Sequence, residues 1–143
     1  MTTIELSRAD EAFAMTATDA NGHSIRMDAA AETGGHNSGV RPMQTLLMGL
    51  GGCSSVDILS ILRKQKQDVQ DFRITIRGER ESGKEPALWK AVHLVFHFTG
   101  TVDPDKADKA IALSINKYCS VAATLRAAGC TISWETQINR VAP

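Results

Sequence analysis

One apolar helical run constrains this chain more than any other feature. From Arg41-Pro42 onward, Met43, Leu46, Leu47, Leu50, Cys53, Val56, Asp57, Leu59 and Leu62 recur at helical spacing, and the pattern fades at about Lys66. Pro42 suits the first helical position. Ile58 and Ile61 thicken the stripe, and Arg63-Lys64-Gln65-Lys66 suits the negative end of a helix dipole. Apolar residues on nearly all sides of the first half predict deep burial there. Gly49, Gly51 and Gly52 crowd the turn before Cys53. Each costs about 1 kcal/mol against Ala in a helix interior, roughly 3 kcal/mol in all. Two reasons remain open: close approach of another backbone, or access of a substrate to Cys53.

The rest of the chain supplies strands to wrap that helix. Ile4 and Leu6, then Phe13, Met15 and Ala17, then Ile25 and Met27 alternate with polar neighbours, with a turn at Asp19-Ala20-Asn21-Gly22. Residues 29–40, with Gly34, Gly35 and Gly39, read as a flexible loop. Phe72-Ile74-Ile76 marks a half-exposed strand, and Glu79 to Pro86 a charged hairpin loop. Val92, Leu94, Phe96 and Phe98 mark a longer strand. Asp103-Pro104 opens a helix running to Tyr118. Ser120 caps a shorter one from Val121 to Ala128, and Gly129 stops it. Residues 131–141 close as a strand. The predicted order βββ-α-ββ-αα-β is α+β, with antiparallel sheet folding around one long buried helix.

With 143 residues the chain reads as a single domain, 1–143. Lys plus Arg equals Asp plus Glu at 16 each, which argues against a nucleic-acid partner. Aromatics at 5% are too few for a base-stacking surface. The longest apolar stretch, Leu46 to Cys53, falls far short of a membrane span, and the N-terminus lacks a signal-peptide core. The expectation is a cytoplasmic protein with no membrane partner. Cys53, Cys119 and Cys130 are too few and too scattered for a secreted disulfide framework.

A thiol in a reducing compartment is either packed and inert or kept for chemistry. Cys53 shares a helical face with Leu46, Leu50 and Asp57, so both readings stand. A charged Asp57 would oppose a thiolate, which then needs a positive neighbour. Arg41 and Arg26 are the candidates. Cys119 falls at the end of a helix, where the dipole disfavours a thiolate. Cys130 reads as structural. His93 and His97 lie on one strand face roughly 13 Å apart along it, and His36 sits in the glycine loop. No metal-binding spacing is present, so no cofactor is expected.

Two segments carry a family resemblance. Arg41 to Leu62, with Gly51-Gly52-Cys53-Ser54-Ser55-Val56-Asp57 at its centre, resembles the central helix of the OsmC/Ohr family (osmotically inducible and organic hydroperoxide resistance proteins). Lys117-Tyr118-Cys119-Ser120-Val121-Ala122 is similar to that family's second cysteine motif. The likeness covers nearly the whole chain. It is nearest to an OsmC-like branch rather than to the peroxidases. It implies an intertwined homodimer, two long central helices packed together and wrapped by sheets, with the sites at the subunit interface. It implies Cys53 as peroxidatic and Cys119 as resolving cysteine, a small hydroperoxide as substrate, and an external thiol as reductant. Peroxidase members carry a Glu just after the helix-opening Pro, which holds an Arg near the thiolate. Here Met43 and then Gln44 follow, and Gln44 can hydrogen-bond but not ion-pair. Arg41, Arg26 and Gln44 are therefore the expected thiolate-stabilising groups. The other expectation is a non-enzymatic dimer that binds a small apolar ligand or senses redox state.

Overall fold

A computed structural model describes residues 1–141. The chain divides into two compact units, 1–46 and 47–143.

In the first unit, strands β1 (Ile4–Arg8), β2 (Met15–Asp19) and β3 (Ser24–Met27) form an antiparallel meander in that order. The Asp19 carboxylate shapes the β2–β3 turn by accepting from the backbone N–H groups of Asn21 and His23 at 2.9 Å each. The following loop corrects the reading of a flexible segment. Asp28 is buried, and its carboxylate accepts from the N–H groups of Ala29, His36 and Ser38 and from the Ser38 hydroxyl, at 2.7 to 3.0 Å. Those bonds hold its pKa far below the usual carboxylate range, with Ser38 the largest cause. The loop glycines serve close approach. A Cβ on Gly35 would sit 2.2 Å from the Ala29 carbonyl oxygen, and one on Gly39 2.6 Å from that of Arg26. A short 3-10 turn at Ala31–Thr33 lies within the loop.

Helix α1 (Pro42–Lys64) begins in this unit and continues into the second. There β4 (Asp68–Arg80), β5 (Trp89–Thr101) and β6 (Thr131–Arg140) form a sheet in chain order. β4 and β5 are antiparallel, with Phe72 opposite Phe98 and Ile76 opposite Leu94. β6 runs parallel to β5, with Val92 opposite Ile132, where an antiparallel closing strand was expected. The reason is the connection. Helix α2 (Pro104–Leu113) and helix α3 (Ser120–Ala127) carry the chain back before β6 begins, the kind of crossover that parallel strands need. Asp103 caps α2 as predicted, accepting from the N–H groups of Asp105 and Lys106 at 2.9 and 3.1 Å.

One core joins Leu50, Ile58 and Leu62 of α1 to Leu94, Phe96 and Phe98 of β5, Ala110 and Ile111 of α2, and Ala122 and Leu125 of α3. The buried side of α1 is narrow: Leu50, Gly51, Ser54, Ile58 and Leu62. Leu46 at 42% and Met48 at 52% exposure overturn the expectation of deep burial of the first half within a single chain, and Val56 and Leu59 continue the exposed side beyond it. By length and hydropathy α1 also qualifies as a membrane span, which the eight-residue apolar stretch did not suggest. Its buried side is committed to the sheet and helices of the core.

Candidate functional site

The site is built in the second unit around two cysteines. Cys53 lies half-buried near the middle of α1, and Cys119 is buried between α2 and α3. Both are free thiols, as is the buried Cys130. Cys119 lies near enough to Cys53 for the Cys53 sulfur to act on its ionisation. Its pKa is pushed up to about 11, first by burial and then by the Cys53 sulfur, which takes its hydrogen bond and repels a second negative charge. Cys119 therefore holds its proton at neutral pH. Cys130 is also raised, by burial, and packs in the core as a structural thiol.

The chain around Cys119 departs from the sequence reading. The helix predicted to run to Tyr118 ends at Leu113, and a π-helical turn, Ser114–Tyr118, follows. The Cys119 N–H donates to the Ser114 carbonyl at 2.7 Å, five residues back. Cys119 itself, not Ser120, is the N-cap of α3, and its Sγ accepts from the Ala122 N–H at 3.4 Å. The thiol thus sits at a helix N-terminus, where a dipole favours negative charge, rather than at a C-terminus. Burial outweighs that benefit.

The three glycines before Cys53 have three different surroundings. A Cβ on Gly51 would lie 3.0 Å from Ile76 Cδ1 of β4, a tight contact that the Ile76 side chain would have to relieve by shifting slightly. A Cβ on Gly49 would touch Val121 of α3 at 3.9 Å, ordinary contact. One on Gly52 would meet nothing within 4 Å. At Gly51 and Gly49 the close neighbour is a side chain rather than another backbone, and Gly52 faces open space.

Two residues that the sequence analysis did not select complete the surroundings. Ser114 is fully buried, and its hydroxyl lies 3.0 Å from Asp57 Oδ2 and 3.3 Å from the Ser54 carbonyl. Asp57, one turn beyond Cys53, is thus held by a hydrogen bond. Arg126 of α3 donates from Nη1 to the Ile115 carbonyl at 2.7 Å and from Nη2 to Asn116 Oδ1 at 3.0 Å. Ser114 fits the helical spacing of its segment, but neither role shows in the sequence, because a π turn has no compositional mark of its own.

The residues expected to stabilise a thiolate lie in the first unit. Arg41 donates from Nη1 to the Gly39 carbonyl at 3.1 Å and from Nη2 to Asn37 Oδ1 at 2.8 Å. Arg26 donates from Nε to the Ser38 hydroxyl at 3.1 Å, and its Nη2 is 3.9 Å from Asp10. Gln44 caps α1, its Oε1 accepting from the Arg41 N–H at 2.9 Å. This unit also contains an apolar cavity of about 570 Å³, with Leu6, Phe13, Met15 and Met27 among its lining and Arg41 beside them. Of the other candidates, His36 pairs with Asp10 at 3.2 Å. His93 meets the Ser133 hydroxyl at 2.8 Å, and His97 the Thr75 hydroxyl at 3.2 Å. Among the described residues, no group of three or more His, Cys, Asp or Glu side chains is placed to hold a metal ion.

Comparison with known proteins bears on this arrangement. A family model described as OsmC-like protein matches residues 35–135. Protein YhfA of Escherichia coli K12 is 41% identical over 121 residues, covering 81% of this chain and 84% of that one. The crystal structure of a hypothetical protein from Aquifex aeolicus VF5 superposes with a TM-score of 0.79 at 31% identity, over 97% of this chain and 98% of that one. The organic hydroperoxide resistance protein OhrB of Bacillus subtilis shares the fold, with a TM-score of 0.66 at 18% identity over 96% and 98% of the two chains.

Proposed function

The chain belongs to the OsmC-like family, and from that premise we propose that it is a thiol-dependent peroxidase that reduces organic hydroperoxides in oxidative-stress defence. One observation carries the reading: a half-buried Cys53 beside a second thiol, Cys119, that keeps its proton. In the proposed reaction the Cys53 thiolate attacks the hydroperoxide O–O bond. An S–O bond forms, the O–O bond breaks, and the alcohol leaves after taking a proton, so Cys53 becomes a sulfenic acid. Cys119 loses its proton, attacks the sulfenic sulfur and releases water, leaving a Cys53–Cys119 disulfide. An external dithiol reduces that disulfide by two exchange steps. Overall, hydroperoxide plus dithiol gives alcohol, water and the oxidised dithiol.

The surroundings favour an alkyl peroxide over hydrogen peroxide. Exposed Met48, Val56 and Leu59 lie on the helix that carries Cys53, and each buried CH₂ of a substrate tail is worth about 0.8 kcal/mol. The same stripe, with Gly52 open at its centre, supports a homodimer in which two α1 helices pack together. Unpaired thiols used in this way belong to a reducing compartment, so the reading places the protein in the cytoplasm.

The test is consumption of cumene hydroperoxide with a lipoyl-type dithiol as reductant. Turnover should be present in the native protein and fall at least a hundredfold in Cys53→Ser. A native protein that consumes no hydroperoxide would remove the peroxidase reading. The apolar cavity of the N-terminal unit, with Arg41 at its lining, favours a second reading: binding of a small apolar ligand without turnover. An environment-sensitive apolar dye that binds this protein while peroxide consumption is absent selects that alternative.

A further inference from the structure

A π turn forgoes a regular hydrogen bond, and something must replace it. In α register the Cys119 N–H would donate to the Ile115 carbonyl, four residues back. Here it donates to Ser114 instead, at 2.7 Å, which leaves Ile115 without its helical donor. Arg126 Nη1 occupies that position at 2.7 Å, and Nη2 fixes the next side chain through Asn116 Oδ1 at 3.0 Å. At the other end of the turn, buried Ser114 reaches Asp57 and the Ser54 carbonyl on α1, in the turn around and after Cys53. Cys119 then caps α3, the helix that carries Arg126.

We infer that Arg126 is a positioning residue of the thiol pair, holding the Ser114–Tyr118 turn in the register that presents Cys119 to Cys53. The inference deepens the proposed function and rests on Cys53 and Cys119 acting as a redox couple. Without the guanidinium, the segment regains its missing bond by slipping to α register, with the Cys119 N–H on the Ile115 carbonyl. A slip of one residue turns the thiol about 100° around the helix axis, away from Cys53.

The experiment does not use a peroxide. Full-length native protein, Arg126→Met and Arg126→Lys are equilibrated with buffers of reduced and oxidised glutathione. The reaction is protein dithiol plus glutathione disulfide giving protein disulfide plus two glutathione thiols. Acid quench, alkylation and peptide mapping then give the equilibrium constant for the Cys53–Cys119 disulfide. Arg126→Met keeps an apolar stem without donors and should lower that constant at least tenfold, in protein that thermal unfolding shows to be folded at the assay temperature. Arg126→Lys keeps a donor for Ile115 and should restore it to within threefold of native. A guanidinium that merely braced the fold would lower the thermal midpoint and leave the disulfide equilibrium unmoved, and that result overturns the inference. If Arg126→Met does not fold, Asn116→Ala removes one of the two acceptors at an exposed side chain. It should lower the constant at least threefold, and no change there would equally overturn the inference. Native protein that forms no such disulfide at any glutathione ratio overturns it as well. Failure to turn over cumene hydroperoxide while these shifts appear would sink the peroxidase reading alone.

Discussion

Cys119 keeps its proton because it is buried and because Cys53 stands beside it. Each cause has a kinetic consequence. Before oxidation, the Cys53 sulfur beside it helps to hold the Cys119 proton in place. Once Cys53 is a sulfenic acid that effect is gone, and burial remains as the main obstacle to a Cys119 thiolate. Closure of the disulfide should therefore quicken with pH, by up to roughly tenfold per unit well below the Cys119 pKa. Acid-quenched free-thiol counts after a single peroxide addition, at pH 6 to 9, measure it. A flat profile would mean that Cys119 does not attack as a thiolate. The loop at residues 28–40 holds two groups of opposite sign. Asp28 has a depressed pKa, so its contribution is present above its unfolded value of 3.8 and is lost as pH falls. His36 has a raised pKa, chiefly through its hydrogen bond to Asp10. Its contribution is present below 6.5 and is lost as pH rises through the higher folded value. Amide exchange at Gly35 to Ser38 should thus be slowest between those limits, beyond the intrinsic pH dependence. Asp28→Asn should remove the acid limb and His36→Ala the alkaline one.

At the scale of the element, α1 shows what the sequence reveals and what it conceals. Its start at Pro42 and its span followed from periodicity and proline placement. Its exposed side did not, because hydropathy cannot say whether an apolar face meets its own chain or something else. The glycines separate in the same way. Gly51→Leu should destabilise by about 1–3 kcal/mol, since the new side chain meets Ile76 and must displace it. Gly52→Ala meets nothing within the chain and should gain helix propensity of up to about 1 kcal/mol, unless a partner helix crosses there. Denaturant unfolding of both variants tells them apart. The π turn was illegible for a physical reason: its register is set by Arg126 and Ser114, which act through tertiary hydrogen bonds, and no local pattern encodes them. Arg126→Met gives up two hydrogen bonds from a charged donor, of which the slip replaces only the one on Ile115, and should cost about 1–3 kcal/mol in global stability. The parallel β6 strand was concealed similarly, because strand direction follows from the crossover and alternation is the same in either direction.

At the scale of the molecule, apolar surface is unevenly satisfied. Ile4, Leu6, Phe13 and Ile25 of the first unit are about half exposed, as is Met48 on α1, and Val56 is more exposed still. Surfaces of this kind ordinarily mark an interface. The homodimer proposed from the family likeness would account for them. Val56→Glu places a charge on the exposed stripe and leaves the chain's own core alone. In sedimentation the native protein should run at twice the 15.4 kDa chain mass, and the variant near that mass. The element order and the two cysteines were readable from the sequence, the cysteines because a family motif surrounds each one. The support around them was not, since Ser114 reaches Asp57, and Arg126 the Ile115 carbonyl, only after α1, α2 and α3 have packed. The measurement that bears most directly on the central claim is stoichiometric. Reduced protein is mixed with one equivalent of cumene hydroperoxide, and intact mass, free thiols and the linked peptides are read. The account predicts loss of two hydrogens per chain, two thiols consumed, Cys130 still free, and one peptide bridge between Cys53 and Cys119. Protein that retains all three thiols and its original mass would contradict it.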